Sequence, residues 1–125
     1  MNSIPDFRKW KIPDDEGSVI GLFRRTAYHF GIEYSDIIGK ARNPPFPEAR
    51  YCVYGFLTFR MDWGWTRIAN ACPFKADHST IIYGARAYDN LLWGDDEYKA
   101  RCAKAFEAMT FFINTLKTVS EGESK

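Results

Sequence analysis

The chain has 125 residues, the size of one ordinary domain, and its 46% hydrophobic and 17% aromatic residues can build a core, which excludes a disordered protein. No run of about 18 apolar residues occurs, which excludes a transmembrane helix. Cys52, Cys72 and Cys102 are isolated and match neither a disulfide framework nor a zinc-site spacing, so we expect buried thiols in a cytoplasmic protein.

The formal net charge of +1 is unevenly distributed along the chain. Residues 18–92 carry nine Lys and Arg against six Asp and Glu, a net charge of +3, whereas residues 1–17 and 93–125 each carry a net charge of −1. A mildly basic middle permits phosphate binding, but it predicts only modest non-specific affinity for nucleic acid.

In chain order, apolar residues recur at helical spacing in stretches that are separated by glycine and proline. The predicted helices lie at residues 17–30, 35–39, 48–62, 66–72, 77–94 and 95–119. Residues 1–16 form a predicted N-terminal arm, residues 40–47 a proline-rich loop and residues 120–125 a frayed tail. Because no stretch alternates in the manner of a strand, the predicted fold is all-α, a small bundle of about five or six helices.

The predicted helices at residues 66–72 and 77–94, with the turn between them, have the dimensions of a helix-turn-helix unit. Asp77 is a preferred N-cap, and His78, Ser79 and Thr80 would project from the same helix tip. A carboxylate, an imidazole and two hydroxyls placed there can reach base edges in a DNA major groove. A capped, solvated helix start is the alternative interpretation.

An aromatic cluster follows the proline-rich loop. We expect its members to pack in the core rather than to form a stacking platform for single strands. They are Tyr54, Phe56, Phe59, Trp63 and Trp65. The stripe from Tyr98 to Leu116 also predicts core packing, and its near-heptad spacing leaves a homodimer face open. With two histidines, no recognisable nucleophile and no metal spacing, we expect no catalytic residue, metal or cofactor, and therefore no enzyme.

Three local motifs resemble those of a known family. Residues 28–40 read YHFGIEYSDIIGK, residues 48–50 read EAR at the start of a helix, and residues 77–82 read DHSTII. They are similar to the segments YYgIkvsDLlgK, ARpR and DHTTVl of the C-terminal DNA-binding domain of the bacterial replication initiator DnaA. The resemblance runs from Val19 to Leu92. It implies a free-standing, Trp-repressor-like helix-turn-helix domain at residues 17–94, with residues 95–119 as a C-terminal helix that packs on it or mediates association.

The resemblance implies that four residues outside the helix tip contact DNA. Arg42 would enter a narrow minor groove, which attracts guanidinium groups. Arg50 and Thr66 would contact DNA from the starts of their helices. Lys75 would take the place of a phosphate-binding arginine, as a point charge rather than a bidentate fork.

At the helix tip, the resemblance implies that Asp77, His78 and Ser79 read bases and that Thr80 binds phosphate. Serine at position 79 lacks the methyl group with which the family's threonine would contact thymine.

Other departures from the family's pattern reduce the positive charge. Ala41 and a proline run replace several arginines of the family, and Thr58 replaces a lysine. We therefore expect a shallower dependence of DNA affinity on salt. The initiator's ATP-binding motif GxxxxGK[ST] does not occur in these residues.

The resemblance thus implies sequence-specific binding to double-stranded DNA at DnaA-box-like sites, in the regulation of replication initiation or of transcription in a bacterium or phage. DnaA and other replication proteins are further implied partners. The alternative is a protein-interaction module of the same fold that binds the initiator or the replication machinery and has lost its affinity for DNA.

Overall fold

The computed structural model describes residues 15–123, with side chains described up to residue 116. This part of the chain is a small helical bundle without strands, which confirms the predicted fold class. Its elements are α1 (Asp15–Phe30), α2 (Tyr34–Ile37), α3 (Phe46–Gly55), a π-helical segment (Phe56–Arg60), α4 (Trp65–Ala71), α5 (His78–Gly94) and α6 (Asp96–Glu123). Of the predicted N-terminal arm, residues 1–14 lie outside the described residues, and the last two begin α1.

The core is built around α1. The apolar face predicted for this helix is confirmed, because all of its members are buried: Val19, Leu22, Phe23, Thr26, Ala27 and Phe30. Gly21 allows the ring of Phe112 on α6 to approach the α1 backbone closely. Gly31 ends the helix, as predicted, with a φ of 68° that suits glycine.

The predicted helix at residues 48–62 is present as α3, but it continues into the π-helical segment. A π turn holds more residues than an α turn, so the side chains within and after it face other directions than an α-helical pattern predicts. Phe59 is 59% exposed, so its predicted place in the core is wrong. Trp65, at the start of α4, is 40% exposed and also lies outside the core. The other three members of the predicted aromatic cluster are buried.

Two glycines bring α3 and α5 together. The ring of Tyr54 on α3 lies against the backbone of Gly84, and the ring of Tyr88 on α5 lies against the backbone of Gly55. Since neither glycine carries a Cβ atom, each aromatic ring can fill the space beside the opposite helix. This close contact fixes how α5 is held on the bundle.

Asp95 joins α5 to α6 and caps α6 by accepting a 2.9 Å hydrogen bond from the backbone N–H of Tyr98. The apolar stripe predicted along α6 is confirmed as buried or half-buried: Tyr98, Cys102, Ala105, Phe106, Met109, Ile113 and Leu116. The helix continues to Glu123, although a tail is predicted from residue 120, because serine and glycine lower helix propensity without ending a helix by themselves.

The three cysteines are free thiols in the structure. Cys52 and Cys102 are buried, as predicted, and Cys72 is half-buried. Between residues 15 and 123, none of the helices has the length and hydropathy needed to cross a bilayer.

Candidate nucleic-acid interface

The tip of α5 is organised by Asp77, the N-cap of the helix. One oxygen of its carboxylate, Oδ1, accepts hydrogen bonds from the backbone N–H of Thr80 at 2.9 Å and from the Thr80 hydroxyl at 3.1 Å. The sequence predicts the cap, but not that the Thr80 hydroxyl donates to it. A carboxylate has about four acceptor positions, so the cap leaves capacity for an outside donor such as a cytosine amino group.

All four tip residues, 77 to 80, are exposed, whereas Ile81 directly behind them is fully buried. Ile81, Ala85 and Tyr88 anchor α5 in the core at helical spacing. The tip therefore projects from a firmly packed helix. The imidazole of His78 and the hydroxyl of Ser79 are available to an external partner without any rearrangement of the core, whereas the Thr80 hydroxyl already donates to Asp77.

The pKa of Asp77 is lowered from its usual value, first by the hydrogen bond from the Thr80 N–H and then by the bond from the Thr80 hydroxyl. Because the folded pKa is the lower one, the cap stabilises α5 fully above pH 3.8, the usual aspartate value, and this stabilisation is lost as the pH falls through the folded value. We expect the Thr80 amide to lose protection from hydrogen exchange as the pH falls through the lowered pKa of Asp77.

Asp77→Asn is the matched control for this pH dependence, because asparagine caps helices about as well as aspartate but does not titrate. Its Thr80 amide should show no such acid transition. A transition of equal size in both proteins would contradict the assignment to Asp77.

Arg50 has a role that the sequence does not predict. Its Nε group donates to the carbonyl of Ile37 at 2.7 Å, and its Nη2 group donates to the carbonyls of Gly39 at 2.8 Å and Ala41 at 2.9 Å. A longer bond of 3.4 Å joins Nη2 to the carbonyl of Asp36. The guanidinium thus binds carbonyl groups at the end of α2 and in the loop that follows.

Arg42 lies one residue beyond the last of these carbonyls, and its side chain is exposed. Arg50 therefore holds the backbone from which Arg42 extends. The resemblance implies that each of these arginines contacts DNA; in the structure, Arg50 is bound to the loop carbonyls and Arg42 is exposed on the loop that Arg50 holds. At the other end of the loop, Pro44 and Pro45 border a shallow cavity together with Tyr98 and Arg101 of α6.

The loop and the tip are linked through the contact between α3 and α5. Tyr51 packs edge-on against Tyr83 with ring centroids 5.9 Å apart, and further along both helices Gly55 meets Tyr88. Tyr51 pairs with Tyr83, and the later Gly55 pairs with the later Tyr88, so the two helices run in the same direction. Their amino ends therefore lie on the same side of this contact. No hydrogen bond within residues 15–116 joins Arg42 to the tip, so the two form separate exposed patches.

The other two predicted contact residues lie near the two ends of α4. Thr66 is exposed in the first turn of α4, and Lys75 is exposed in the turn that leads to α5. Next to Thr66, Arg67 forms a bidentate ion pair with Asp15, with both N–O distances 2.9 Å, and its guanidinium lies 3.8 Å from the ring centroid of Trp63. The ion pair between Arg67 and Asp15 thus links α4 to the start of α1.

Three of the predicted contact elements follow one another in the chain: the α4 start, the turn with Lys75 and the α5 tip. The loop with Arg42 is a separate patch, anchored by Arg50 on α3, which packs against α5. Thr58, where the family carries a lysine, is half-buried in the π-helical segment, and its hydroxyl has no hydrogen-bond partner in the described part of the chain.

No protein-family model, no curated protein and no solved structure matches the chain.

Proposed function

We propose that this protein binds double-stranded DNA in a sequence-specific manner, at sites like the boxes of the bacterial replication initiator DnaA. The observation that carries the proposal is the tip of α5, where four consecutive polar residues are exposed at the end of a helix whose next residue is fully buried. Polar side chains on a rigid helix end can enter a major groove without paying a large conformational cost.

In this proposal the tip supplies the direct readout. His78 and Asp77 offer a donor or acceptor ring and a carboxylate to base edges, and Ser79 adds a hydroxyl. Lys75 contacts a phosphate, which positions the protein without reading sequence. Thr80 contacts a phosphate when DNA binds, once its hydroxyl turns away from the Asp77 carboxylate to which it donates in the free protein. Thr66 contacts DNA from the start of α4, where it is exposed.

Arg42 supplies the second contact by entering the minor groove next to the major groove that holds α5. The loop that carries Arg42 favours this role, because Arg50 fixes its backbone carbonyls at Gly39 and Ala41. Little conformational entropy of the loop is therefore lost on binding. An exposed guanidinium on a fixed loop also suits a narrow A·T-rich groove, where the negative potential is strongest.

The test is a titration of two labelled duplexes, one with a DnaA-type box and one with the same bases scrambled, at two salt concentrations. We expect the box to be preferred by the unmodified protein. His78→Ala should reduce the preference by about 5- to 150-fold, as expected for the loss of one good base contact. Arg42→Ala should reduce both the preference and the salt dependence. Equal, negligible binding to both duplexes would contradict the proposal.

Lys75→Ala separates a phosphate contact from a base contact. We expect this variant to weaken binding to the box and to the scrambled duplex by the same factor, and to lower the salt slope by about 1. A loss confined to the box would instead assign Lys75 to base readout. Arg42, Lys75 and His78 are all exposed, so circular dichroism should show that the three variants keep the fold of the unmodified protein.

Binding of this kind fits a regulator of replication initiation or of transcription, which competes with the initiator for its sites or assists it there. It requires no catalytic group, metal or cofactor.

A protein-interaction module of the same fold is the second candidate. The observation that favours it is the exposure of large apolar side chains away from the tip, with Trp93 87% exposed and Phe111 73% exposed. Exposed aromatic residues are enriched in protein interfaces. If neither duplex binds, a pull-down with purified DnaA, repeated with Trp93→Ser and Phe111→Ser, tests this candidate.

A further inference from the structure

An exposed stripe of side chains continues from the α5 tip along the outer face of the helix. Ser79, Tyr83 and Arg86 are all exposed, while the opposite face is buried through Ile81, Gly84, Ala85 and Tyr88. At 100° per residue, the three exposed positions fall within about 60° of one another. They therefore point in one direction from the bundle.

We infer that the base-reading surface of α5 extends beyond its tip and includes Arg86 and Tyr83 as specificity-determining residues. This inference rests on the proposed binding of duplex DNA by the same helix. It adds a contact to guanine by Arg86 and a contact by Tyr83 to the base pair between that guanine and the pairs read by the tip.

Arg86 differs from every other arginine on the described helices. Six others have a partner: Arg24 lies over the Tyr34 ring, Arg25 donates to a carbonyl, Arg50 binds the loop carbonyls, Arg60 lies over the Phe106 ring, and Arg67 and Arg101 pair with carboxylates. For Arg86, no hydrogen bond, ion pair or ring contact is present within residues 15–116. Its planar fork of donors is therefore free on the outside of α5.

A free guanidinium fork on the outer face of a groove-binding helix is suited to guanine. Arginine forms paired hydrogen bonds to the O6 and N7 atoms of guanine, which is the commonest specific contact in the major groove. Asp89, on the next turn of α5, is exposed but does not pair with Arg86. The cation is thus not neutralised by a neighbour on its own helix.

Tyr83 is 66% exposed, yet it is held in place. Its ring packs edge-on against Tyr51 at an interplanar angle of 76°, and Tyr51 is itself half-buried on α3. A fixed phenol presents an apolar edge to a thymine methyl group and a hydroxyl that can donate or accept. Because its orientation is set before binding, little side-chain entropy is lost.

The spacing along the helix matches the spacing of base pairs. Seven residues separate Ser79 from Arg86, which corresponds to about 10 Å along the helix axis. That distance spans roughly three base pairs at 3.4 Å per step. The inference therefore predicts a site that is longer than the tip alone would read, with a guanine at the end that faces Arg86.

The experiment measures base preference position by position. Duplexes carrying a DnaA-type box, with each of four flanking base pairs varied in turn, are titrated with the full chain and with Arg86→Ala, Arg86→Lys and Tyr83→Ala. We expect Arg86→Ala to abolish a preference for guanine of roughly 5- to 150-fold at one flanking position and to leave the preferences read by the tip unchanged. Arg86→Lys keeps the positive charge but not the planar pair of donors. Compared with Arg86→Ala, it should therefore regain more of the overall affinity than of the preference for guanine.

Lys104→Ala is the matched control, because it also removes one exposed cation, on α6. It should leave every base preference unchanged. Tyr83→Ala should reduce the preference at the base pair next to the guanine. Thermal melts of all variants check folding. We expect little change in melting temperature, because Tyr83, Arg86 and Lys104 are all exposed.

The results of these titrations distinguish this inference from the proposed function on which it rests. If the unmodified protein prefers the box and Arg86→Ala weakens all sequences equally, Arg86 is a phosphate contact, and the inference is overturned while the proposed function stands. If the unmodified protein shows no preference for any duplex, the proposed function fails and the inference fails with it. Loss of one guanine preference in Arg86→Ala alone supports both.

Discussion

Replacing Arg50 with alanine is expected to destabilise the protein by about 2–3 kcal/mol and to weaken DNA binding as much as replacing Arg42 itself. The guanidinium donates to carbonyls at residues 37, 39 and 41. A hydrogen bond to a charged group is worth about 1.5–3 kcal/mol, and we expect a total loss close to that of one such bond, because Arg50 is half-buried and the freed carbonyls can bond to water. Without these bonds the carbonyls return to water, so the loop gains freedom and the backbone before Arg42 is no longer held. Urea denaturation measures the first effect, and titration of the box duplex measures the second.

Two matched variants separate anchoring from direct contact. Arg42→Ala should weaken DNA binding without changing the free energy of unfolding, because its side chain is exposed. Arg50→Lys should recover only part of the stability, since one ammonium group cannot span carbonyls that the planar fork reaches from two nitrogen positions. If Arg50→Ala were as stable as the unmodified protein but failed to bind DNA, Arg50 would be a contact residue rather than an anchor.

Placing a methyl group at Gly84 should separate α5 from α3. A Cβ atom there would meet the ring of Tyr54 far inside van der Waals distance, and Tyr54 is nearly fully buried and cannot move aside. We expect Gly84→Ala to lower the free energy of unfolding by about 1–3 kcal/mol, the usual cost of overpacking, despite the higher helix propensity of alanine. Gly55→Ala should act similarly, because its Cβ would meet the Tyr88 ring.

Gly94→Ala is the control for these two variants. Gly94 is the last residue of α5, and apart from its chain neighbours and its own helix backbone, no atom of the described residues lies within 4 Å of the position that its Cβ would occupy. This substitution should leave stability unchanged or raise it slightly. Urea denaturation of all three variants gives the comparison. Equal stability of Gly84→Ala and Gly94→Ala would show that α3 can shift to accept the methyl group.

Helix positions and buried faces were accessible to sequence reasoning because they depend on local spacing. The apolar faces of α1 and α6 follow from residues three and four apart, and the cap at Asp77 follows from a preference of the residue itself. Even so, α2 begins at Tyr34, before the predicted cap at residues 35–36. In a helix of only four residues, the spacing gives little information about where it starts.

Phe59 and Arg50 show where local reasoning ends. The exposure of Phe59 depends on a change in helix type, which a constant period of 3.6 residues cannot describe. The position of Arg50 suggests an outward contact, but its partners lie 9 to 14 residues earlier in the chain. Such partners come close only after α2 and α3 have packed, so no local pattern reveals them.

The π-helical segment has a consequence for insertions and deletions. A π turn usually corresponds to one residue inserted into an α-helix, and one residue corresponds to about 100° of rotation. A deletion between residues 56 and 60 would preserve a helix but turn its two halves against each other. Either Arg50 would lose its contact with the end of α2, or Arg60 would lose its contact with Phe106 on α6. Chain length at this point, rather than side-chain identity, thus keeps both sides of the bundle in register.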